Sequence, residues 1–224
     1  TTYKTNQHSE INESKYSLKK VGFTDKVLSK KEMVGNHFRI KIDGASNELA
    51  KFNEFDKILN FYGYQRFGSR RPVTHRIGRS LIQKDFAGAV DLLLSFTSEY
   101  DKDENTKLRE LMDDKSKYPE ALQILPKGMD LEKIALKEMI EHDDPVKALR
   151  ALPLSIRRFF VQAYQSYIFN QTLSMSLDAG EELFFPQSDD VCYNKNNELG
   201  KFENDPSQRL SIPFVGYSYY KKTR

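Results

Sequence analysis

The most chemically suggestive stretch of the sequence is Asn60–Gly68, which reads NFYGYQRFG. It interleaves aromatic side chains with amides and one arginine, and its glycines let the backbone turn sharply or approach a ligand closely. Aromatic faces stack on unstacked nucleobases, whereas arginine and amide groups bind phosphates and base edges. The alternative is a buried aromatic strand whose Arg66 reaches solvent along its aliphatic stem. The residue types alone leave both interpretations open.

A cluster of positive charge overlaps this segment. No acidic residue occurs between Asn60 and Ser80. The same stretch contains five arginines and one histidine, namely Arg66, Arg70, Arg71, His75, Arg76 and Arg79. Such a cluster can hold the phosphates of RNA, although an ordinary solvated surface has a similar composition. These six residues are the predicted RNA-binding set.

Other kinds of site find little support in the sequence. The single cysteine, Cys192, cannot form an internal disulfide, and the four histidines are scattered without metal-ligand spacing. No apolar run is long enough to span a bilayer, and no secretory signal opens the chain. We therefore expect a cytoplasmic protein without a structural metal. The net charge of +3 is too small to identify a partner.

The elements around the aromatic segment are predicted from hydrophobic periodicity. Gly35-Asn36 is a turn signal, and the alternation in His37–Ile42 predicts a strand after it. Ser46 could cap a helix that runs to about Leu59. Asn60–Phe67 is predicted to be a strand or extended segment that ends in a turn at Gly68.

The remainder of the chain is predicted to be helical in its middle and to end in short strands. Helices are expected from Thr74 onward, at Phe86–Leu94 with Asp85 as the cap, in short pieces within Ser98–Lys127, at Met129–His142, from Pro145 to before Pro153, and at Leu154–Leu177. Short strands are expected at Glu182–Phe185, Asp190–Tyr193 and Pro213–Tyr219. The predicted fold class is α+β.

Asn60–Gly68 resembles the N-[FY]-[FY]-G-x-Q-R-F-G signature of TruD-type tRNA pseudouridine synthases of the archaeal and eukaryotic branch. Further segments resemble other motifs of that family in the expected order, over about residues 17–217. They are Val21-Gly22-Phe23, Gly35–Ile40, Thr74–Leu94, Ala163–Asn170 (AYQSYIFN) and Pro213–Tyr217. The chain is identified by this resemblance as the central portion of such an enzyme.

The resemblance implies two domains. Residues 1–83 would be a fragment of the pseudouridine-synthase catalytic domain. Residues 84–224 would be the largely helical α+β TRUD insertion domain, with a return to the catalytic domain near residues 215–224. RNA would lie in the cleft between the two domains.

The resemblance also implies a reaction, a partner and site residues. Uridine in tRNA, or in another structured RNA, would be isomerised to pseudouridine without a cofactor or metal. Asn60 would line the pocket and help to position the catalytic carboxylate, and Tyr62, where most relatives have phenylalanine, would stack on the flipped base. Supporting roles would fall to Gln65, Phe67, Gly63 and Gly68.

The family's catalytic aspartate lies in a motif similar to G-x-K-D-K-x-A-x-T-x-Q, which this sequence does not contain. Gly22–Lys26 matches the G-x-x-D-K part of this motif and contains Asp25, but nothing similar to A-x-T-x-Q follows it. An aspartate in a turn is the simpler interpretation of Asp25. We therefore expect the nucleophile to precede Thr1 and the isolated chain to be inactive. The alternative function is a non-catalytic RNA-binding module that retains the TRUD fold.

Overall fold

The computed structural model describes residues 10–12, 17–19, 22–23, 25, 29, 35, 37–39, 41, 43–44, 51, 54–55, 57–212 and 214–216. The chain forms two compact units, residues 1–56 and residues 57–224. In the first unit, strands β1 (Glu10–Asn12) and β2 (Ser17–Lys19) pair antiparallel, with Ile11 opposite Leu18.

The second unit consists mainly of helices, and we number them in chain order. They are α1 (Tyr64–Phe67), α2 (Thr74–Ile82), α3 (Phe86–Leu94), α4 (Asp103–Leu111), α5 (Tyr118–Ile124), α6 (Asp130–His142), α7 (Pro145–Ala151) and α8 (Leu154–Asp178), with a 3-10 turn at Lys115–Lys117. Asp85 caps α3 by accepting a hydrogen bond from the N–H of Gly88, and Asp144 caps α7 through Val146 and Lys147.

A small antiparallel sheet follows the long helix α8. Its strands are β3 (Val191–Tyr193), β4 (Leu199–Lys201) and β5 (Arg209–Leu210), in the order β4-β3-β5. Cys192 in the central strand is buried opposite Gly200 and Leu210. Helices and this sheet together make the described fold α+β, as the sequence predicted.

The hydrophobic core of the second unit is built from the apolar faces of its helices. Ile77, Leu94, Leu136 and Leu152 are almost wholly buried within it, and Phe160 brings α8 into the same cluster. Burying such side chains stabilises the fold by roughly 1.5 to 3 kcal/mol each.

Helix α2 packs closely against α8, and a glycine makes this possible. A Cβ atom placed on Gly78 would collide with the backbone carbonyl of Phe160 and crowd the side chain of Tyr164. Gly78 therefore lets the two helix backbones approach, which fixes the position of every side chain that α2 presents beside α8.

A buried ionic network holds the carboxyl end of α3. The guanidinium groups of Arg71 and Arg109 donate to main-chain carbonyl oxygens at that end, including 2.9 Å from Arg71 to Leu93 and 3.1 Å from Arg109 to Leu94. Glu132 of α6 accepts from both arginines, at 3.3 and 3.1 Å. Cations are favourable at a helix C-terminus, and the shared carboxylate offsets their mutual repulsion.

Asp101 completes this network. It accepts from Nε of Arg109 at 3.2 Å, and both side chains are 5% exposed. Burial acts to raise the pKa of Asp101, but hydrogen bonds from Asn105, the Lys102 N–H and Arg109 outweigh burial and hold this pKa below its usual value. The carboxylate therefore stays ionised beside Arg109.

Of the predicted strands, one is wrong and one is wrong in part. Tyr64–Phe67 forms a single helical turn, in which the Gly68 N–H donates to the Tyr64 carbonyl at 2.8 Å, whereas 60–63 is neither helix nor strand. Glu182–Phe185 forms no strand either, although β3 lies where Asp190–Tyr193 predicts it. The alternating aromatic residues of Asn60–Phe67 predict a strand. Among the described residues, however, no neighbouring strand pairs with Asn60–Phe67.

Several predictions fall on residues outside the described part of the chain. The strand His37–Ile42, the helix from Ser46 to Leu59 and the strand Pro213–Tyr219 each include such residues. Of their described members, 37–39, 41, 55, 57–59 and 214–216 are neither helix nor strand, whereas Lys51 and Glu54 are in 3-10 conformation.

Candidate nucleic-acid interface

The extended part of Asn60–Gly68 is fixed to helix α8 through one side chain. The Tyr62 N–H donates to Oδ1 of Asn170 at 2.9 Å, and Nδ2 of Asn170 donates back to the Tyr62 carbonyl at 2.9 Å. The amide of Asn170 thus satisfies both polar groups of one residue's main chain, as a neighbouring strand would. This pairing sets the position of the Tyr62 ring.

The Tyr62 ring lies in a cluster of aromatic and cationic groups. It makes edge contacts with Phe169 and Phe214, at centroid distances of 5.7 and 6.0 Å. The guanidinium carbon of Arg66 lies 5.2 Å from the Tyr62 centroid and 5.5 Å from that of Phe159. Cation–π attraction at these distances holds the Arg66 head group against the aromatic cluster.

Asn60 and Phe169 both line a cavity of about 590 Å³. Phe169 contributes an aromatic wall, and the polar lining comes from Lys57, Asn60, Ser207, Gln208 and Arg209. The volume falls within the range of roughly 300 to 1,000 Å³ found for small-molecule pockets. Asn60 and the Tyr62 cluster therefore meet at Phe169, beside a space large enough for a nucleoside.

The side chain of Phe67 leads from this segment to a second aromatic group on α2 and α8. Its ring lies edge-on to His75, with centroids 5.2 Å apart. His75 in turn stacks on Tyr167, with a centroid distance of 4.8 Å and nearly parallel planes. Burial, with a smaller contribution from Arg76, lowers the pKa of His75, so this residue contributes a neutral ring at neutral pH.

The predicted RNA-binding arginines fall into two groups. Arg70, Arg76 and Arg79 are exposed, and within the described part of the chain none of them has an acidic partner. Arg76 also lies over the ring of Phe96, at 4.8 Å. Arg71 instead belongs to the buried network at the end of α3, where burial, together with repulsion from Arg109, lowers its pKa to about 10.

The guanidinium of Arg71 is therefore occupied inside the protein, although it remains charged at neutral pH. The exposed candidates for phosphate contacts are Arg70, Arg76 and Arg79, with Arg66 and His75 beside the aromatic rings. The phosphate-binding role of each remains a prediction.

The predicted supporting residues occupy different environments. Gln65 is exposed on α1, and Gly63 precedes that helix with open space around it. Gly68 ends α1 with φ of +105°, where a Cβ would also collide with the Arg71 carbonyl oxygen. Only glycine fits the turn at position 68 without strain.

The polar residues of Ala163–Asn170 have central roles in the structure that the sequence alone does not reveal. Besides the Asn170 pairing, Nε2 of Gln165 donates to the Val215 carbonyl at 2.7 Å. The side chains of one helix thus hold two segments that resemble family motifs. The signal was present in the motif itself, but the partners of its amides depend on tertiary packing.

Asp25, the nearest match to the family's catalytic aspartate, is exposed in the first unit. No group of three or more histidine, cysteine or acidic side chains in the described ranges could hold a metal ion. Among those residues, no helix combines the length and apolar character required to cross a membrane.

Comparisons with known proteins identify the family of this chain. The family profile described as tRNA pseudouridine synthase D (TruD) matches residues 2–211. A protein of Nanoarchaeum equitans named "Probable tRNA pseudouridine synthase D" is 32% identical over 207 residues, which are 90% of this chain and 51% of that protein. A protein of Methanopyrus kandleri with the same name is 38% identical over 169 residues, covering 71% of this chain and 42% of its own length.

A solved structure supports the same assignment. The crystal structure of a TruD protein from Methanosarcina mazei superposes with a TM-score of 0.58 at 30% identity, over 65% of this chain and 35% of that structure. The fold and the site define an α+β protein whose signature segment is bound to a long helix. The chain belongs to the TruD family. It spans about half the length, or somewhat less, of the curated relatives it matches.

Proposed function

We propose that this chain is part of a TruD-type enzyme that converts uridine to pseudouridine in tRNA. Relatives that match it over most of its length carry the name tRNA pseudouridine synthase D. The observation that carries the proposal is the fixed position of the signature segment. Asn170 holds Tyr62 against Phe169, and Asn60 lies at the adjacent cavity.

The proposed chemistry breaks the glycosidic bond at N1 of uracil and forms a bond from C1′ to C5. The hydrogen on C5 is lost and N1 gains a proton, so the isomerisation involves no net oxidation. The base must leave its stack to be reached. In this proposal, Tyr62 stacks on the flipped uracil, and Asn60 orients the nucleophilic carboxylate and the base edge.

The proposal assigns only one wall of the active site to this chain. The aspartate motif of the family is absent from the sequence, so residues 1–224 alone should be inactive. We also propose that residues 1–83 belong to the catalytic domain and 84–224 to the TRUD insertion. Helix α2 would then belong to the catalytic domain and α8 to the TRUD insertion. Because these two helices pack closely, part of the interface between the domains would be rigid.

The test is tritium release from tRNA whose uridines are tritiated at C5. The full-length protein should release tritium and form pseudouridine, whereas residues 1–224 should do neither. If the full-length protein binds tRNA but releases no tritium, a non-catalytic RNA-binding module is the correct alternative. Release by residues 1–224 would mean that one of their own carboxylates, such as Asp25, acts as the nucleophile.

A further inference from the structure

A second cavity, of about 440 Å³, lies between α2 and α8. Helix α2 contributes His75, Arg76, Arg79 and Ser80 to its lining, and Gln83 directly follows the helix. Helix α8 contributes the rings of two tyrosines, Tyr164 and Tyr167. Neither Asn60 nor Tyr62 is among the described residues that line it, so it is separate from the proposed uridine pocket.

The aromatic side of this cavity consists of parallel rings. Tyr167 is nearly parallel to His75, with a plane angle of 18°, and to Tyr164, with an angle of 13°. Tyr167 is also 37% exposed, although the helix that carries it packs closely on α2. Tyr167 is the ring that these two contacts share, and its exposed part lets a planar base lie parallel to the same series of rings.

The cationic side of the cavity comes from α2. Arg76 and Arg79 are three residues apart on a helix and therefore project from neighbouring positions on one face. Both are exposed, and no carboxylate is among the described lining residues. Gln83, one turn beyond Arg79, adds an amide that can both donate and accept hydrogen bonds.

These parts match the chemistry of one unstacked nucleotide. A partly exposed aromatic ring binds a base by stacking, and neighbouring guanidinium groups bind its phosphate. The volume is sufficient for a nucleotide. Phe67 of the signature segment contacts His75 in the cavity wall, which connects this cavity to the segment that carries Asn60 and Tyr62.

We propose that the cavity between α2 and α8 binds a second nucleotide of the RNA, distinct from the target uridine. Its base stacks on Tyr167, and its phosphates contact Arg76 and Arg79. This inference rests on the proposed function, because it assumes an RNA substrate. It assigns roles to Tyr164, Tyr167 and Gln83 beyond those of the predicted arginines.

The experiment measures binding of a short single-stranded oligouridylate to the full-length protein, between about 50 and about 200 mM salt. Tyr167→Ala should weaken binding by about fivefold or more at every salt concentration, because a base–aromatic stack is lost. Arg79→Gln should reduce the slope of log affinity against log salt by about one. Tyr167→Phe keeps the ring and should bind as the wild type does.

Two matched controls come from outside the cavity. Tyr193 in β3 is exposed to a similar extent, at 39%, and Arg150 at the end of α7 is also exposed. Tyr193→Ala and Arg150→Gln should leave binding and the salt slope unchanged. If Tyr167→Ala behaves like Tyr193→Ala, or Arg79→Gln like Arg150→Gln, the proposal is wrong.

A cross-linking measurement covers the case in which Tyr167→Ala does not fold. Oligouridylate that contains 4-thiouridine should cross-link the wild-type protein at the peptide that includes Tyr164 and Tyr167. Cross-links confined to other peptides would overturn the proposal. Tritium release tests this inference separately from the proposed function. If the enzyme is active and Tyr167→Ala leaves its KM for tRNA unchanged, the proposed function holds and the second nucleotide site does not exist. An inactive protein with these cross-links has the nucleotide site and lacks the function.

Discussion

Asn170 hydrogen-bonds to both the N–H and the carbonyl of Tyr62, at 2.9 Å each, although 108 residues separate the two positions. A helix side chain thereby takes the place of a neighbouring strand for the extended part of the signature segment. The same helix holds Val215 through Gln165. Helix α8 is therefore the element that positions the proposed uridine pocket.

Asn170→Ala should destabilise the protein and disturb the pocket. Two partly buried main-chain groups would lose their partner, which should lower the free energy of unfolding by about 1 to 3 kcal/mol. Displacement of Tyr62 should also reduce tritium release by about 10²-fold. Urea denaturation and the release assay measure the two effects. Gln171→Ala, at the exposed neighbouring position, is the control, and equal behaviour of the two variants would show that the pairing does not contribute.

Glu132→Gln should be among the most destabilising exchanges in the second unit. It keeps the shape of the side chain but removes the carboxylate shared by Arg71 and Arg109, leaving Asp101 as their remaining counter-charge. Removing one partner of a buried ion pair typically costs about 3 to 5 kcal/mol. Urea denaturation at neutral pH measures the change.

The control for this exchange lies on the same helix. Glu141 has a side chain that is 72% exposed, so Glu141→Gln should change stability by less than about 0.5 kcal/mol. A loss for Glu132→Gln as small as that of Glu141→Gln would mean that the network contributes little net stability.

His75 should make stability depend on pH. Burial lowers its pKa in the folded protein below the ordinary value of 6.5, and its Nδ1 atom is buried with no hydrogen-bond partner in the described structure. The unfolded chain therefore binds the proton more readily. The contribution of His75 is fully present above the unfolded pKa and is lost as the pH falls below about 6.5 toward the folded pKa.

The variants His75→Phe and His75→Asn separate titration from stacking. Both should flatten the dependence of the unfolding free energy on pH between about 8 and about 5, because neither side chain titrates there. Only His75→Asn should also lower stability at pH 8, since it loses the ring that stacks on Tyr167. Thermal unfolding across this pH range gives the comparison, and an unchanged pH profile for both variants would contradict the assignment.

The sequence predicts the helices of the second unit well, because their signals are local. The Asp85 cap and the long periodic stretch of α8 each lie within a few turns of chain. The prediction of a strand or extended segment at Asn60–Phe67 is wrong for Tyr64–Phe67. Alternating aromatic residues do not reveal that the partner of this segment is helix α8 rather than another strand. The burial of Arg71 was also hidden, because Glu132 lies 61 residues away and charge in sequence does not distinguish exposed from internal arginines.

For the candidate site too, local features are predictable from the sequence and tertiary contacts are not. The aromatic and cationic residue types in Asn60–Arg79 were sufficient to predict a nucleic-acid surface and to suggest the family. They could not show that Tyr164 and Tyr167 of a distant helix line the same cavity as Arg79. That relationship depends on the close approach of α2 and α8 at Gly78.

The central claim is that Tyr62, positioned by α8, forms part of a uridine-isomerising pocket. The most direct test is tritium release from C5-tritiated tRNA by the full-length protein with Tyr62→Ala, compared with Tyr64→Ala. Tyr64 lies two residues away in the same signature but is 77% exposed. We predict that the wild type and Tyr64→Ala are active and that Tyr62→Ala is slower by about 10²-fold. Equal activity of the two variants, or no release by the wild type, would contradict the claim.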